Sequence, residues 1–182
     1  MKETLIEQIH RIATRLSDQP AATAFISRAD EGLLTRDENP YTHFCVYFAA
    51  FDPHSKSVFI GHHKKSGLWL FNGGHIDQGE RVEEALSREI SEEWGVAVDM
   101  QRVGEPKLLT ITEIENPAKL TCVRHYDIWH FVPVSKASFA PDEAKLATEF
   151  YTTGWRSIEQ ARSVVTDVCT LQALSEFEKL FA

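Results

Sequence analysis

Between Gly74 and Val96 the chain reads GHIDQGERVEEALSREISEEWGV, and no other stretch limits the possible folds as tightly. Its apolar residues recur with a helical period, which predicts a helix from Arg81 to Trp94, stopped by Gly95 as a left-handed cap. On a wheel turned by about 100° per residue with Val82 at zero, Ala85, Leu86 and Ile90 fall within roughly 80° of Val82 and define a buried face. Glu89 and Glu93 fall inside that face, at roughly −20° and +20°, and Glu92 lies at about −80°, beside Ala85. Three carboxylates therefore crowd an apolar stripe. Carboxylates within a few ångströms of each other cannot all stay ionised cheaply, and burial raises the cost. From Asp77 to Glu93 only Arg81 and Arg88 oppose seven acids, so protein charge does not neutralise the cluster. A hard divalent cation does, and all-oxygen donors suit Mg²⁺ or Mn²⁺. Glu83 and Glu84 fall on the outer side, where a solvated acidic face is explanation enough.

The segment resembles the signature of the Nudix hydrolases, G-x5-E-x7-R-E-U-x-E-E-x-G-U with U apolar. Gly74, Glu80, Arg88, Glu89, Ile90, Glu92, Glu93, Gly95 and Val96 fill every specified position. With ordinary residue frequencies a chance match has odds on the order of 10⁻⁷. The resemblance implies a mixed α/β fold, an α/β/α sandwich with a mixed sheet between helices, reaching over roughly residues 40 to 165. It also implies hydrolysis of a nucleoside diphosphate linked to another group X, with water attacking phosphorus. Glu89, Glu92 and Glu93 match the family's metal-binding positions, with Mg²⁺ or Mn²⁺ as cofactor. Glu80 and Arg88 match a pair that orients those carboxylates, and the Gly73 carbonyl matches a further ligand of some members. The general base of relatives comes from the helix or from a later loop. Glu143 and Glu149 are the loop candidates here, and Glu149, just before FYTTGW, is favoured.

The rest of the chain fits one such domain. Leu5, Ile9, Ile12, Ala13 and Leu16 predict a first helix, and Ala21 to Ala29 a second. Thr42–Phe51, Ser57–His63, Leu68–Phe71, Lys107–Glu113, His125–Val134 and Phe150–Trp155 read as strands, with a loop opening at Gly73-Gly74. A short helix from Ser157 and a C-terminal helix over Thr166–Phe181 follow. Without a regular βαβ rhythm, a mixed sheet is expected in place of a doubly wound parallel one. The expected division is a helical extension over residues 1–40 and a Nudix hydrolase domain over 41–182. The extension could pack on the sheet, cover the substrate cleft or make a homodimer contact.

Charge and cysteine usage narrow the partners. Nineteen Lys and Arg against 27 Asp and Glu give a net charge of −8, the wrong sign for a nucleic-acid-binding domain of this size. Cys45, Cys122 and Cys169 are far apart, without C-x-x-C spacing, which argues against a disulfide framework. The N-terminal MKETLIEQIHRIATRL mixes acids into its apolar pattern, unlike a signal peptide, and no apolar run is long enough to span a membrane. A cytoplasmic enzyme acting on a small nucleotide-type substrate is expected, with no nucleic-acid or membrane partner.

HHKKSGLWLFNGGHID, from His62 to Asp77, resembles a bacterial Nudix subgroup with H-H-x-K-x-x-x-W-L-x-P-G-G-H before its acidic helix. Thr42 and His125-Tyr126-Asp127 support that likeness, while Asn72 stands where proline is usual. Lys64, Lys65 and Arg124 suit phosphate contacts or plain loop charges, and Trp69 and Phe71 suit base stacking or core. His75, His125 and His130 are candidates to approach metal or substrate, but no histidine or cysteine spacing supports zinc. Markers of NADH, ADP-ribose and coenzyme A hydrolysis are missing, as is the loop cysteine of isopentenyl diphosphate isomerase. The alternative to an enzyme is a nucleotide-sensing Nudix domain without turnover. The intact box and the net charge of −8 weigh against it.

Overall fold

The computed structural model describes residues 3–114 and 121–182. In chain order its elements begin with α1 (Leu5–Arg15), α2 (Ala22–Asp30), β1 (Thr42–Asp52), β2 (Ser57–His63), β3 (Trp69–Leu70) and β4 (Asn72–His75). Then come α3 (Val82–Trp94), α4 (Met100–Val103), β5 (Leu108–Glu113), β6 (Arg124–Pro133) and α5 (Glu143–Glu149). β7 (Phe150–Ser157), α6 (Ile158–Arg162) and α7 (Val168–Phe181) complete the chain. The strands form one seven-stranded mixed sheet in the order β3-β2-β1-β6-β5, with β4 paired to β1 and β7 to β2. This is the mixed α/β class expected from the interspersed elements.

The chain divides into two compact units. The first comprises Met1–Tyr47, Gly73–Leu86 and Pro106–Trp129. Helix α1 starts at a capping box, in which the Thr4 side chain and the Glu7 carboxylate bond each other's backbone amides. Its inner residues Ile9, Ile12 and Ala13 join Phe25 of α2, Phe44 and Val46 of β1, Val82 and Ala85 of α3, and Ile128 of β6 in one buried cluster. The Phe25 ring meets Phe44 at 5.5 Å and Tyr126 at 5.4 Å, both edge-on. Arg28 is buried at 3% exposure, and its guanidinium donates to Gly32 O, Leu33 O, Thr42 O and Thr42 Oγ1. These bonds offset the cost of burying the charge and fix the end of α2 to the start of β1. β5 and β6 form an antiparallel pair from Leu108↔Trp129 to Glu113↔Arg124.

Gly73 and Gly74 lie in strand β4, where a loop was expected. The reason is close approach. A Cβ on Gly73 would stand 2.8 Å from Val46 O and 2.9 Å from the Tyr47 ring, so only glycine lets β4 settle against β1.

The second unit comprises Phe48–Asn72, Ser87–Glu105 and His130–Ala182. β2 pairs with β7 from Ser57↔Ser157 to His62↔Thr152, with an irregularity at His62/His63. The Phe177 ring of α7 packs against Phe51, Phe71 and Phe131, and Trp94 packs between Phe48 and Phe139. Helix α5 was not anticipated, since its seven residues are too few for a readable period; neither was the single turn α4. Its start closes the end of α3. The Asp142 amide donates to Trp94 O at 2.7 Å and Lys145 Nζ to Ser91 O at 2.8 Å, giving partners to carbonyls that a helix end leaves open. Gly95 caps α3 at φ +65°, as the sequence predicted.

Candidate metal and active site

Helix α3 carries the carboxylates. Val82, Ala85, Leu86 and Ile90 are all at most 1% exposed, which confirms the wheel's inner face. Glu89 lies within that face at 9% exposure. Glu93 is half-buried, while the Glu92 side chain is 59% exposed and points further outward than the crowded stripe suggested. Arg88 Nη1 donates to Glu89 Oε1 at 2.8 Å and reaches Glu92 Oε2 at 3.4 Å, so one guanidinium joins two of the three carboxylates. Glu80 sits in the loop before α3, where its Oε2 accepts from the Asp77 amide at 3.0 Å. The donor set on the helix is oxygen-only and runs from the buried Glu89 to the exposed Glu92, which fits a hard divalent cation reached from solvent.

Asn72 was read only as a missing proline. It is 3% exposed and holds two side chains of α3 at once. Its Nδ2 donates to Glu93 Oε2, and its Oδ1 accepts from the Trp94 indole N–H at 2.9 Å. Trp94, wholly buried, anchors the amide, and the amide orients the carboxylate. Proline could do neither.

Glu149 ends α5, not a loop. Its carboxylate is 2.9 Å from Lys65 Nζ and 3.5 Å from His63 Nε2. Hydrogen bonding from Lys65 holds the Glu149 carboxyl below its usual range. Burial pushes the His63 imidazole down, against the pull of Glu149. Glu143 lies in the first turn of the same helix. The remaining basic candidates are engaged locally. Lys64 Nζ donates to Ala147 O, and Arg124 pairs with Glu113 at 2.6 Å. Trp69 and Phe71 divide between the two readings given to them. Trp69 is half-buried between a stacked His62 ring and the Arg156 guanidinium, 4.3 Å from its centroid. Phe71 is core at 2% exposure.

The histidines hold the largest departure from the sequence reading. His75 at the end of β4 and His125 on β6 come together with His43 on β1 and Cys122. One ligand atom from each lies within 4.8 Å of all the others. Burial pushes the His125 imidazole down to about 4, helped by His43, and burial lowers His43 as well. His130 is buried in the other unit and takes no part in this group. Neither His43 nor Cys122 was singled out, and their separation along the chain gave no signal.

A sheet of this order, with an acidic helix bearing an intact G-x5-E-x7-R-E-U-x-E-E-x-G-U pattern, defines a class. The NUDIX domain profile matches residues 19–168, and the chain belongs to the Nudix hydrolase family, whose members are generally metal-dependent pyrophosphohydrolases of nucleoside diphosphate derivatives. Among curated relatives it is similar to the nucleoside triphosphatase NudI of Escherichia fergusonii, with 46% identity over 37 residues. That match spans 20% of this chain and only 26% of the relative's length. Among solved structures, the dihydroneopterin triphosphate pyrophosphohydrolase of E. coli aligns with a TM-score of 0.61 at 15% identity, over 74% of this chain and 93% of that one. The MutT protein of Methanosarcina mazei aligns at 0.58 and 16% identity, over 77% and 95%. At such identities the likeness shows the fold. No described helix is long and apolar enough to cross a membrane.

Proposed function

We propose that this chain is a cytoplasmic Mg²⁺- or Mn²⁺-dependent diphosphohydrolase that cleaves a diphosphate linkage in a nucleoside diphosphate joined to a further group. The observation that carries this reading is the carboxylate set of α3, with Glu89 at 9% exposure and a single guanidinium shared between it and Glu92. Glu89, Glu92 and Glu93 would hold the cation, which supplies neutralisation of phosphate oxygens and a lowered pKa for bound water. Arg88 orients Glu89 and Glu92, and Asn72 orients Glu93. Glu80 fixes the loop before the helix through the Asp77 amide. Glu149, kept ionised by Lys65, is assigned the proton of the attacking water. Residues 1–40 are read as a helical extension of a hydrolase domain over 41–182.

Two of the relatives named above, the nucleoside triphosphatase and the dihydroneopterin triphosphate pyrophosphohydrolase, act on triphosphates, so the first panel should include nucleoside triphosphates, nucleotide sugars, ADP-ribose, dinucleoside polyphosphates and NADH. Phosphate release is measured with and without Mg²⁺ or Mn²⁺. Metal-dependent release that is lost in Glu93→Gln supports the proposal. Nucleotide binding without release anywhere in the panel would favour a sensing role.

A further inference from the structure

We propose that His43, His75, Cys122 and His125 form a second, soft-metal site that takes Zn²⁺ and clips strands β1, β4 and β6 together. The donors are three imidazoles and a thiol, a set that suits zinc and does not suit magnesium. Strand pairing brings them together. β1, which carries His43, pairs with both β4 and β6, which carry His75 and His125. The three rings are packed mutually, with centroids 4.9 Å apart for His43–His75, 4.8 Å for His43–His125 and 5.2 Å for His75–His125. Cys122 Sγ lies 3.8 Å from His43 Nε2. The next residue, Val123, is held by backbone bonds to Tyr41 O and Ile114 N, which fixes the cysteine's place.

Four donors within 4.8 Å of one another need to contract by at most about 1.4 Å to reach the roughly 3.4 Å spacing of a tetrahedral zinc site. Rotation of the half-buried His75, Cys122 and His125 side chains toward the buried His43 would supply that. Two further features prepare the site. His43 Nδ1 is 2.9 Å from Asn39 O, a bond that places the proton on Nδ1 and leaves Nε2, the nitrogen facing Cys122, as a lone pair. His125 Nε2 is shielded from water and has no hydrogen-bond partner among the described residues. Behind the cluster, Asp127 and Cys45 bring a carboxylate oxygen and a thiol within 4.8 Å of a His125 ring nitrogen. The buried Asp127 accepts from the Thr110 and Thr112 hydroxyls, which fix its place beside His125. With four protein donors and no open position, the site is structural.

The test uses the full chain, freed of any histidine tag, reduced and stripped with a chelator, then titrated with Co²⁺. With excess Mg²⁺ present to occupy the carboxylate site, the expected result is one equivalent of Co²⁺ bound with tetrahedral visible bands and a sulfur-to-cobalt charge-transfer band, bleached by one equivalent of Zn²⁺. Cys122→Ser, at a half-buried position, should remove the charge-transfer band while circular dichroism stays native. His125→Ala should weaken Zn²⁺ binding by more than about 100-fold, beyond what an outer partner of a metal ligand is worth. Glu93→Gln should leave the cobalt spectrum unchanged, which separates this site from the proposed catalytic one. Absence of Co²⁺ and Zn²⁺ binding, an octahedral spectrum without the sulfur band, or a signal lost in Glu93→Gln but kept in Cys122→Ser would overturn the proposal.

Discussion

The carboxylate helix and the histidine–cysteine cluster are both donor-rich, yet the chain builds them in opposite ways. Glu89, Glu92 and Glu93 come from a single turn and a half of α3, and their spacing alone sets which side of the helix they share. His43, His75, Cys122 and His125 come from separate segments, and only the pairing of β4 and β6 with β1 makes them neighbours. The helix is held by charged partners and a buried amide, the cluster by packed rings. A local motif survives in the sequence as a pattern, whereas an assembled group leaves no pattern at all.

Four substitutions break or sharpen this contrast. The largest effect is expected for Glu93→Gln, which should lower kcat by about 10³-fold, the scale of losing one electrostatic contact to developing charge. Its thermal unfolding should match wild type, because the amide can still bond Asn72. Wild-type turnover on a confirmed substrate would remove Glu93 from the site. Next is Asn72→Ala. Leaving the Trp94 indole N–H buried and unpaired should cost about 1–3 kcal/mol in urea unfolding. Freeing Glu93 should also reduce kcat/KM by about 10–100-fold. Loss of stability with unchanged kinetics would show that Asn72 serves the core alone.

Gly95→Ala should cost about 1–2 kcal/mol for a left-handed residue, and more because its Cβ would stand 2.8 Å from Asp142 Cβ. Denaturant midpoints measure this, and an unchanged midpoint would mean that the cap does not secure α3. The smallest effect is expected for Lys65→Met. Lys65 holds the Glu149 carboxyl low, so its loss lets that group rise, and the acidic limb of the kcat/KM profile should move to higher pH. A profile that does not move would exclude Glu149 as the base. The pair's stabilisation is present above Glu149's unfolded value and fades as pH falls through its lowered folded value. With Lys65 71% exposed, it should amount to less than about 1 kcal/mol.

Much of the fold was legible because it rests on local periodicity. β2 lies where the sequence placed it, Ser57–His63, and α3 starts one residue later than expected. The failures share a cause. Gly73-Gly74 looked like a loop because glycine is weak in strands, but β1 passes too close to Gly73 for any side chain. α5 was missed because a seven-residue helix shows little period, and its Asp142 start matters through contacts with α3 distant in sequence. Asn72 was noticed only as an absent proline, because its role lies in bonds to residues at the far end of the next element, 21 and 22 positions away.

The sequence by itself determined the helix and the order of its carboxylates, because a 3.6-residue period assigns each side chain to a face without reference to the rest of the molecule. It could not determine that Asn72 holds Glu93, that Glu149 is clasped by Lys65, or that three histidines and a cysteine converge on β1. Those facts depend on strand order and close approach, which tertiary structure alone decides, since residues far apart in the chain become neighbours only when the sheet is assembled.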